Sequence, residues 1–196
     1  MLGRWPILFV MAVGFVLVLF RSGNGAAPKS QPESARLFGE IATVLQSPRC
    51  LNCHTDAAHP FPRQGDDGHR HMFNVERGPT GHGAAGLHCA TSHQSANNQV
   101  SGVPGAPGWH LAPLSMAWEQ LSAKEICRKL IDPRRNGGRS LARLADHFAR
   151  ERLVLWSWSP GVNRAGVPRS TPPLSHDEFM RVVSRWIATG AACPEQ

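Results

Sequence analysis

The sequence predicts a mainly α-helical fold with a long irregular region in its middle. Apolar residues recur at helical spacing before residue 47 and again after residue 121, and no strand pattern competes with them. Between them, residues 55–113 are rich in Gly, Pro, His and Asn and hold few large aliphatic side chains. This region needs a cofactor to supply the apolar surface that it lacks. We expect a single domain.

The chain begins with a segment typical of export. Arg4 precedes sixteen apolar or small residues from Trp5 to Phe20, and a polar, Gly-containing stretch follows. A buried core helix is the alternative, but this run has no polar face. We predict that residues 1–27 are a signal peptide or an uncleaved N-terminal anchor, and that residues 28–196 are exported, for example to the periplasm. Such an anchor is the one membrane contact that we expect.

A helix over residues 33–46 is the first predicted element of the exported part. Ser47 and Pro48 end it. Its apolar face is Leu37, Phe38, Ile41, Val44 and Leu45.

The helix leads into CLNCH, where Cys50, Cys53 and His54 form C-x-x-C-H, the spacing of c-type haem attachment. Two thiols within one short turn can add to the two vinyl groups of haem, while the adjacent imidazole reaches the iron. The alternative is a disulfide between Cys50 and Cys53, since disulfides persist in an oxidising compartment.

A second stretch, HCATSHQ, repeats the motif with one change. Cys89 and His93 take the same relative positions, but Ser92 replaces the second cysteine. A hydroxyl cannot form a thioether, so Cys89 can link one vinyl group while His93 keeps its capacity to bind iron. The predicted cofactor is haem c, with one copy at the first motif and either a singly attached copy or none at the second.

Zinc is the alternative interpretation of the two motifs together. Cys50, Cys53, Cys89 and His93 read as C-x2-C and C-x3-H, which suits a tetrahedral site.

The second axial ligand of a haem iron is usually a thioether or an imidazole. Met72 and Met116 are our candidates, with core filling as the alternative role of a methionine. His69, His71 and His110 are held in reserve. The other histidines carry no comparable argument: His59, His82, His88, His147 and His176.

Three helices are predicted in the C-terminal third. S-x-x-E capping boxes begin at Ser122 and Ser175, and Ser140 caps the helix between them. The apolar stretch LVLWSWSPG is predicted to be a connection. The predicted buried positions are Ile126, Leu130, Leu141, Leu144, Ala145, Phe148, Phe179, Val182, Val183, Trp186 and Ile187.

Cys127 and Cys193 lie outside both motifs. In an oxidising compartment these remaining thiols favour a disulfide that ties the chain end to the helices; two buried free thiols are the alternative.

The chain after the export signal resembles a family of small exported dihaem cytochromes c that is often labelled isoquinoline 1-oxidoreductase subunit. The resemblance implies cytochrome c-like helices around haem, with a haem-binding half (residues 28–120) and a helical half (residues 121–196). The second motif of the family is a complete C-x-x-C-H, from which Ser92 departs. The stretches that carry the resemblance are SPRCLNCH, QGDDGHRHMFNVERG, HCATSHQ, GVPGAPGWHLAP, SMAWE, EICRKL, NGGR and GAACP.

The leading function is electron transfer by a non-catalytic carrier or redox subunit. The formal charge is +7, and residues 128–152 hold eight Lys or Arg against three acids. This basic stretch is either a solvated helix face or a docking surface for an acidic redox partner. The family label points to a molybdenum hydroxylase as that partner; nucleic acid is a poor candidate outside the cytoplasm. Alternatives are a haem peroxidase-like enzyme and a zinc- or disulfide-stabilised binding module.

Overall fold

A computed structural model describes residues 30–60 and 75–195, and the fold there is mainly α-helical, as predicted. Residues 1–27, His69, His71 and Met72 therefore lie outside the described residues. No helix within the described ranges has the length and apolarity needed to cross a membrane. The helices are α1 (Ser30–Leu45), α2 (Pro48–Leu51), α3 (Ala123–Ile131), α4 (Leu141–Arg150), α5 (Arg152–Trp156) and α6 (His176–Ala188).

The helix starts in the C-terminal third confirm the local signals in the sequence. At Ser122 and at Ser175 the hydroxyl accepts a hydrogen bond from the backbone N–H three residues later, and the glutamate there accepts one from the capping residue's N–H. The Ser140 hydroxyl accepts a hydrogen bond from the Arg143 backbone N–H. Each side chain satisfies a donor that the first helical turn would otherwise leave unbonded.

The core lies where the first and last helices meet. Phe38 of α1 packs against Trp186 of α6 with ring centroids 5.2 Å apart. Beside them the buried hydroxyl of Ser34 donates to the Trp186 carbonyl and accepts from the Ala192 N–H at 2.8 Å. Buried apolar side chains of α3 and α4 complete the same cluster. The core thus joins residues 28–120 to residues 121–196.

A disulfide between Cys127 and Cys193 confirms the predicted pairing. Cys127 is fully buried in α3, and Cys193 follows α6 near the chain end. The bridge therefore fastens the segment after α6 to the inner face of α3.

Residues 75–122 form no regular element except a short hairpin and two 3-10 turns. The hairpin, β1 (Gly83–Ala84) with β2 (Leu87–His88), was not predicted from the sequence. Gly83 has φ 97°, and a Cβ there would lie 2.5 Å from the Leu87 carbonyl oxygen, so the hairpin requires glycine. Strands of two residues are too short to produce an alternating pattern.

Helix α5 is a second difference from the sequence-based prediction, which placed an apolar connection here. The stretch folds into a short helix, with Trp156 buried at its end. Its five residues are too few for apolar periodicity to distinguish a helix from a connection.

Candidate functional site

Both thiols and the imidazole of the first motif lie on one tight turn. Helix α2 begins after Ser47 with proline at its first position, and the backbone N–H groups of Cys53 and His54 both donate to the Cys50 carbonyl, at 3.2 and 3.0 Å. Proline suits this position because the first helical N–H has no partner in the helix. No disulfide joins Cys50 to Cys53, so both side chains are thiols.

The ring of His54 is held from two sides. Its Nδ1 lies 2.7 Å from the Met116 carbonyl oxygen, and the ring stacks on Trp118 with centroids 3.5 Å apart and planes 9° apart. A carbonyl can only accept, so Nδ1 carries the proton and Nε2 keeps a lone pair. Trp118 is itself fixed, because its Nε1–H donates to the Leu45 carbonyl at 3.0 Å. This arrangement orients a histidine that binds metal through Nε2.

The segment that carries Met116 and Trp118 is attached to the first motif by its backbone. The Ala112 N–H donates to the Cys53 carbonyl, and the Trp118 N–H donates to the His54 carbonyl at 3.0 Å. The buried guanidinium of Arg77 donates to the carbonyls of Thr55 and Ala112, which joins the chain after the motif to the same segment. The surroundings of His54 are therefore built from residues distant in sequence.

The protonation states of the first motif follow from burial. Burial lowers the pKa of His54 from 6.5 to about 3, against the Met116 hydrogen bond, and the charges of His147 and Arg77 add to the lowering. Burial also raises the pKa of the Cys50 thiol from 9.0 to about 11. At neutral pH the imidazole is neutral and can bind metal, and Cys50 is a protonated thiol.

A cavity opens beside the first motif, and Cys50, Cys53 and His54 line it. It holds about 1060 Å³ of space free of atoms, including its mouth towards solvent. Much of the wall is apolar side chains from α1, α4 and α6, and two guanidinium groups, those of Arg49 and Arg139, also reach it.

The second motif adopts the same local geometry in a different setting. The backbone N–H groups of Ser92 and His93 both donate to the Cys89 carbonyl, at 3.2 and 2.9 Å. His93 is buried, its Nδ1 lies 2.8 Å from the Pro104 carbonyl oxygen, and its ring stacks on Trp109 at 4.4 Å. The cavity of the first motif does not include this motif. Ser92 is exposed.

The structure does not bring the four zinc candidates together. Within the described residues, which include Cys50, Cys53, Cys89 and His93, no three His, Cys, Asp or Glu side chains converge on a point that could hold a metal ion. The zinc alternative therefore has no support from the fold.

Two candidates for the second axial ligand line the cavity, and the others lie outside the described residues. Met116 is buried and lines the cavity. Its backbone carbonyl, however, lies at the Nδ1 edge of the His54 ring and not at the Nε2 edge. His110, a reserve candidate, also lines the cavity. Met72 lies outside the described residues. The thioether of Met116 remains a predicted ligand.

Three residues that the structure places at the motifs were not predicted from the sequence. His147 of α4 lines the cavity, Trp118 supports His54 and Trp109 supports His93. His147 follows the buried Leu144 by three residues and precedes the buried Phe148, so it stands at the edge of an apolar helix face. That position was a usable signal. Trp109 and Trp118 gave no such signal in the sequence, because their stacking on the histidines depends on how the segment that carries them folds back onto the motifs.

Comparison of the chain with protein-family models, with curated proteins and with solved structures found no match.

Proposed function

We propose that this chain is a c-type cytochrome that transfers electrons through haem held by Cys50, Cys53 and His54. The observation that carries the proposal is that both thiols and the neutral imidazole line one cavity, with Nδ1 of His54 bonded to a carbonyl. Ligand type, spacing and ring orientation all match the needs of haem c attachment.

The two thiols supply the covalent attachment. Each sulfur forms a bond to one carbon of a haem vinyl group, and the thiol hydrogen goes to the other vinyl carbon. The addition balances without an oxidant, but it requires reduced thiols, as Cys50 and Cys53 are here. Bound in this way, the iron alternates between ferrous and ferric states and so carries one electron at a time.

The cavity wall fits the two kinds of surface that haem presents. Buried apolar side chains such as Val44, Leu144 and Phe179 face the space where the macrocycle would lie. Arg49 and Arg139 supply positive charge for its two carboxylates, and guanidinium groups bind carboxylates well. A porphyrin there would also supply apolar surface beside a region that has little of its own.

At the second motif we propose a haem attached through Cys89 alone, with His93 as the iron ligand. The support is that Cys89 and His93 repeat the backbone turn and the histidine orientation of the first motif. A thiol and an imidazole in that geometry retain two of the three bonds that the first motif can form.

Aromatic and cationic contacts connect the two motifs. The Trp109 ring, stacked on His93, meets the Trp156 ring edge-on at 4.8 Å, and the Arg49 guanidinium lies 5.8 Å from the Trp156 ring centre. Arg49 directly precedes Cys50 in the chain. This path of contacts supports electron exchange between the two proposed haems.

Export and an acidic redox partner belong to the same proposal. The Cys127–Cys193 disulfide suits a chain that matures in an oxidising compartment. Residues 128–152 expose six arginines, two of them on α4, which also lines the cavity, and this positive charge suits docking of an acidic protein such as a molybdenum hydroxylase. The exposed arginines are Arg128, Arg134, Arg135, Arg143, Arg150 and Arg152.

The experiment is a pyridine haemochrome spectrum of the protein exported from a host that attaches haem c. Two thioethers remove both vinyl groups from conjugation, so the spectrum should report a haem without vinyls at the first motif. In the absorption spectrum of the native protein, where pyridine does not replace the axial ligands, His54→Ala should abolish the low-spin form of this haem. His59→Ala, which changes an exposed histidine, is the control. A protein without haem after denaturation, or an unchanged His54→Ala spectrum, would overturn the proposal.

A further inference from the structure

The cavity contains a histidine that the attachment motif does not use. His147 lies on α4 in the same cavity wall as Leu144, Phe148 and Glu151, which follow the spacing of one helix face. Leu144 and Phe148 are almost completely buried, so they fix this face against the core. His147 is half-buried between them, on a rigid element whose side-chain direction is set by packing.

The ring nitrogens of His147 are not engaged by the protein. Neither forms a hydrogen bond to any residue of the described ranges, whereas His176 uses its Nε2 on the Phe148 carbonyl at 3.0 Å. Because both nitrogens of this half-buried ring keep some contact with solvent, a ligand in the cavity can reach them. Such a group inside a cofactor cavity is suited to binding a metal ion.

His147 acts electrostatically on His54. Its charge contributes to the lowered pKa of His54, and burial together with Arg139 lowers the pKa of His147 itself. Both imidazoles are thus neutral at neutral pH, the form that binds iron.

The other candidates in the cavity are less well placed. The bond from His54 Nδ1 to the Met116 carbonyl puts the Met116 backbone on the side of the ring away from Nε2. A ligand opposite His54 must approach from the Nε2 side. His110 also lines the cavity, but its ring stacks on His82 at 4.7 Å and its Nδ1 already lies 2.5 Å from the Gly108 carbonyl oxygen.

We propose that His147 is the second axial ligand of the iron at the first motif, so that this haem has two histidine ligands. The inference rests on the proposed function, because it presupposes haem at Cys50 and Cys53. Two imidazoles give a lower reduction potential than imidazole with thioether. Six-coordination also closes the iron to peroxide, which favours electron transfer over a peroxidase.

The test uses the full exported chain in a Cys89→Ser background, in which only Cys50 and Cys53 can form thioethers. His147→Ala should convert the ferric haem from low spin to high spin in the electron paramagnetic resonance spectrum. His110→Ala, the matched change of the other cavity histidine, should leave it low-spin. A low-spin His147→Ala protein, or a high-spin His110→Ala protein, would overturn the inference.

A second variant covers the case in which His147→Ala does not accumulate. His147→Met offers a thioether from the same helix position, and the midpoint potential should shift upward with the haem still low-spin; an unchanged potential would overturn the inference. Haem staining after denaturing electrophoresis distinguishes failure of the His147 inference from failure of the proposed function. Covalent haem with an unchanged spin state refutes only His147, whereas absence of haem from the parent protein refutes the proposed function.

Discussion

The two motifs have nearly the same local geometry but differ in what surrounds them. In both, the histidine N–H donates to the carbonyl of the first cysteine, Nδ1 lies 2.7–2.8 Å from a distant carbonyl oxygen, and a tryptophan stacks on the ring. The first motif extends from α2 into a cavity walled by the core. The second follows a two-residue hairpin, outside that cavity.

This comparison separates two requirements of a haem c site. The histidine orientation survives at His93 although Ser92 stands where Cys53 stands in the first motif, so the second thiol is not needed to shape the turn. The covalent capacity is halved at the second motif. Under the proposed function, the thiols would therefore fix attachment of the haem, and the stacked tryptophan with the accepting carbonyl would orient the iron ligand.

The largest expected effect comes from making the first motif like the second. Cys53→Ser leaves Cys50 as the one thiol there, so the haem at this site should keep one vinyl group. We expect most doubly attached haem to disappear, as measured by the pyridine haemochrome spectrum. Asn52→Ser, a neighbouring change that spares both thiols, is the control. Retention of the doubly attached spectrum in Cys53→Ser would contradict the assignment.

The converse change should have the next largest effect. Ser92→Cys restores the second thiol in a turn that already has the right geometry, so the second haem, which Cys89 alone attaches incompletely, should be attached fully and covalent haem per chain should rise towards two. The haem-to-protein ratio measures this, with Ser95→Cys as a control for adding a thiol nearby. If Ser95→Cys raised the ratio equally, the geometry of the second motif would not matter.

The disulfide lies in the part of the molecule that supports the first motif, so its removal tests how stable that part is. It closes a loop of 66 residues beneath the core that supports the first motif. Cys127→Ser together with Cys193→Ser should lower the free energy of unfolding by about 4 kcal/mol, mainly because the unfolded chain gains freedom. Guanidinium titration of the oxidised proteins measures the loss. A change below about 1 kcal/mol would show that the bridge adds little to the core.

The low pKa of His54 predicts how acid affects the haem-free chain. Its unfolded pKa is 6.5 and its folded pKa is about 3, so the unfolded state binds the extra proton between these values. Stability contributed by neutral His54 is complete above pH 6.5 and falls by about 1.4 kcal/mol per pH unit below it. The pKa of His147 is lowered too, so it adds to the slope in the same direction.

Urea titrations between pH 7 and pH 4 measure this slope. His54→Gln should flatten it, and His88→Gln, an exposed control, should not. Equal slopes in the parent protein and His54→Gln would contradict the assigned burial of His54.

The smallest expected effect concerns the stacking partners. Trp118→Leu removes the ring beneath His54 and the Nε1–H donated to Leu45, so iron binding at the first site should weaken by about tenfold, a usual cost of losing a support behind a metal ligand. Trp109→Leu is the matched change at the second motif. Loss of the low-spin signal on acid titration measures both. Equal acid midpoints in Trp118→Leu and the parent protein would show that Trp118 does not support His54 as an iron ligand.

Local signals in the sequence predicted much of the fold. The apolar spacing before Cys50 gave the position of α1, and each S-x-x-E box marked a helix start, because both depend on residues within one or two turns. The Cys127–Cys193 bridge followed from compartment and elimination. Helix α5 was missed, since five residues are too few for periodicity to separate a helix from a connection.

Only the contiguous part of the candidate site could be named from the sequence. C-x-x-C-H is contiguous, so Cys50, Cys53 and His54 could be named directly. The supports of His54 come from Met116 and Trp118, which reach it because the loop after the second motif returns to the first. His147 enters the cavity because α4 packs on the core. Contacts of this kind arise from tertiary packing, which no short pattern encodes.

The most direct test of the central claim is the intact mass of the exported protein under denaturing conditions. We predict a mass above that of the polypeptide by at least one haem, lowered to the mass of the haem-free chain when Cys50, Cys53 and Cys89 are all changed to Ser. A parent protein with the mass of the polypeptide alone would contradict the account.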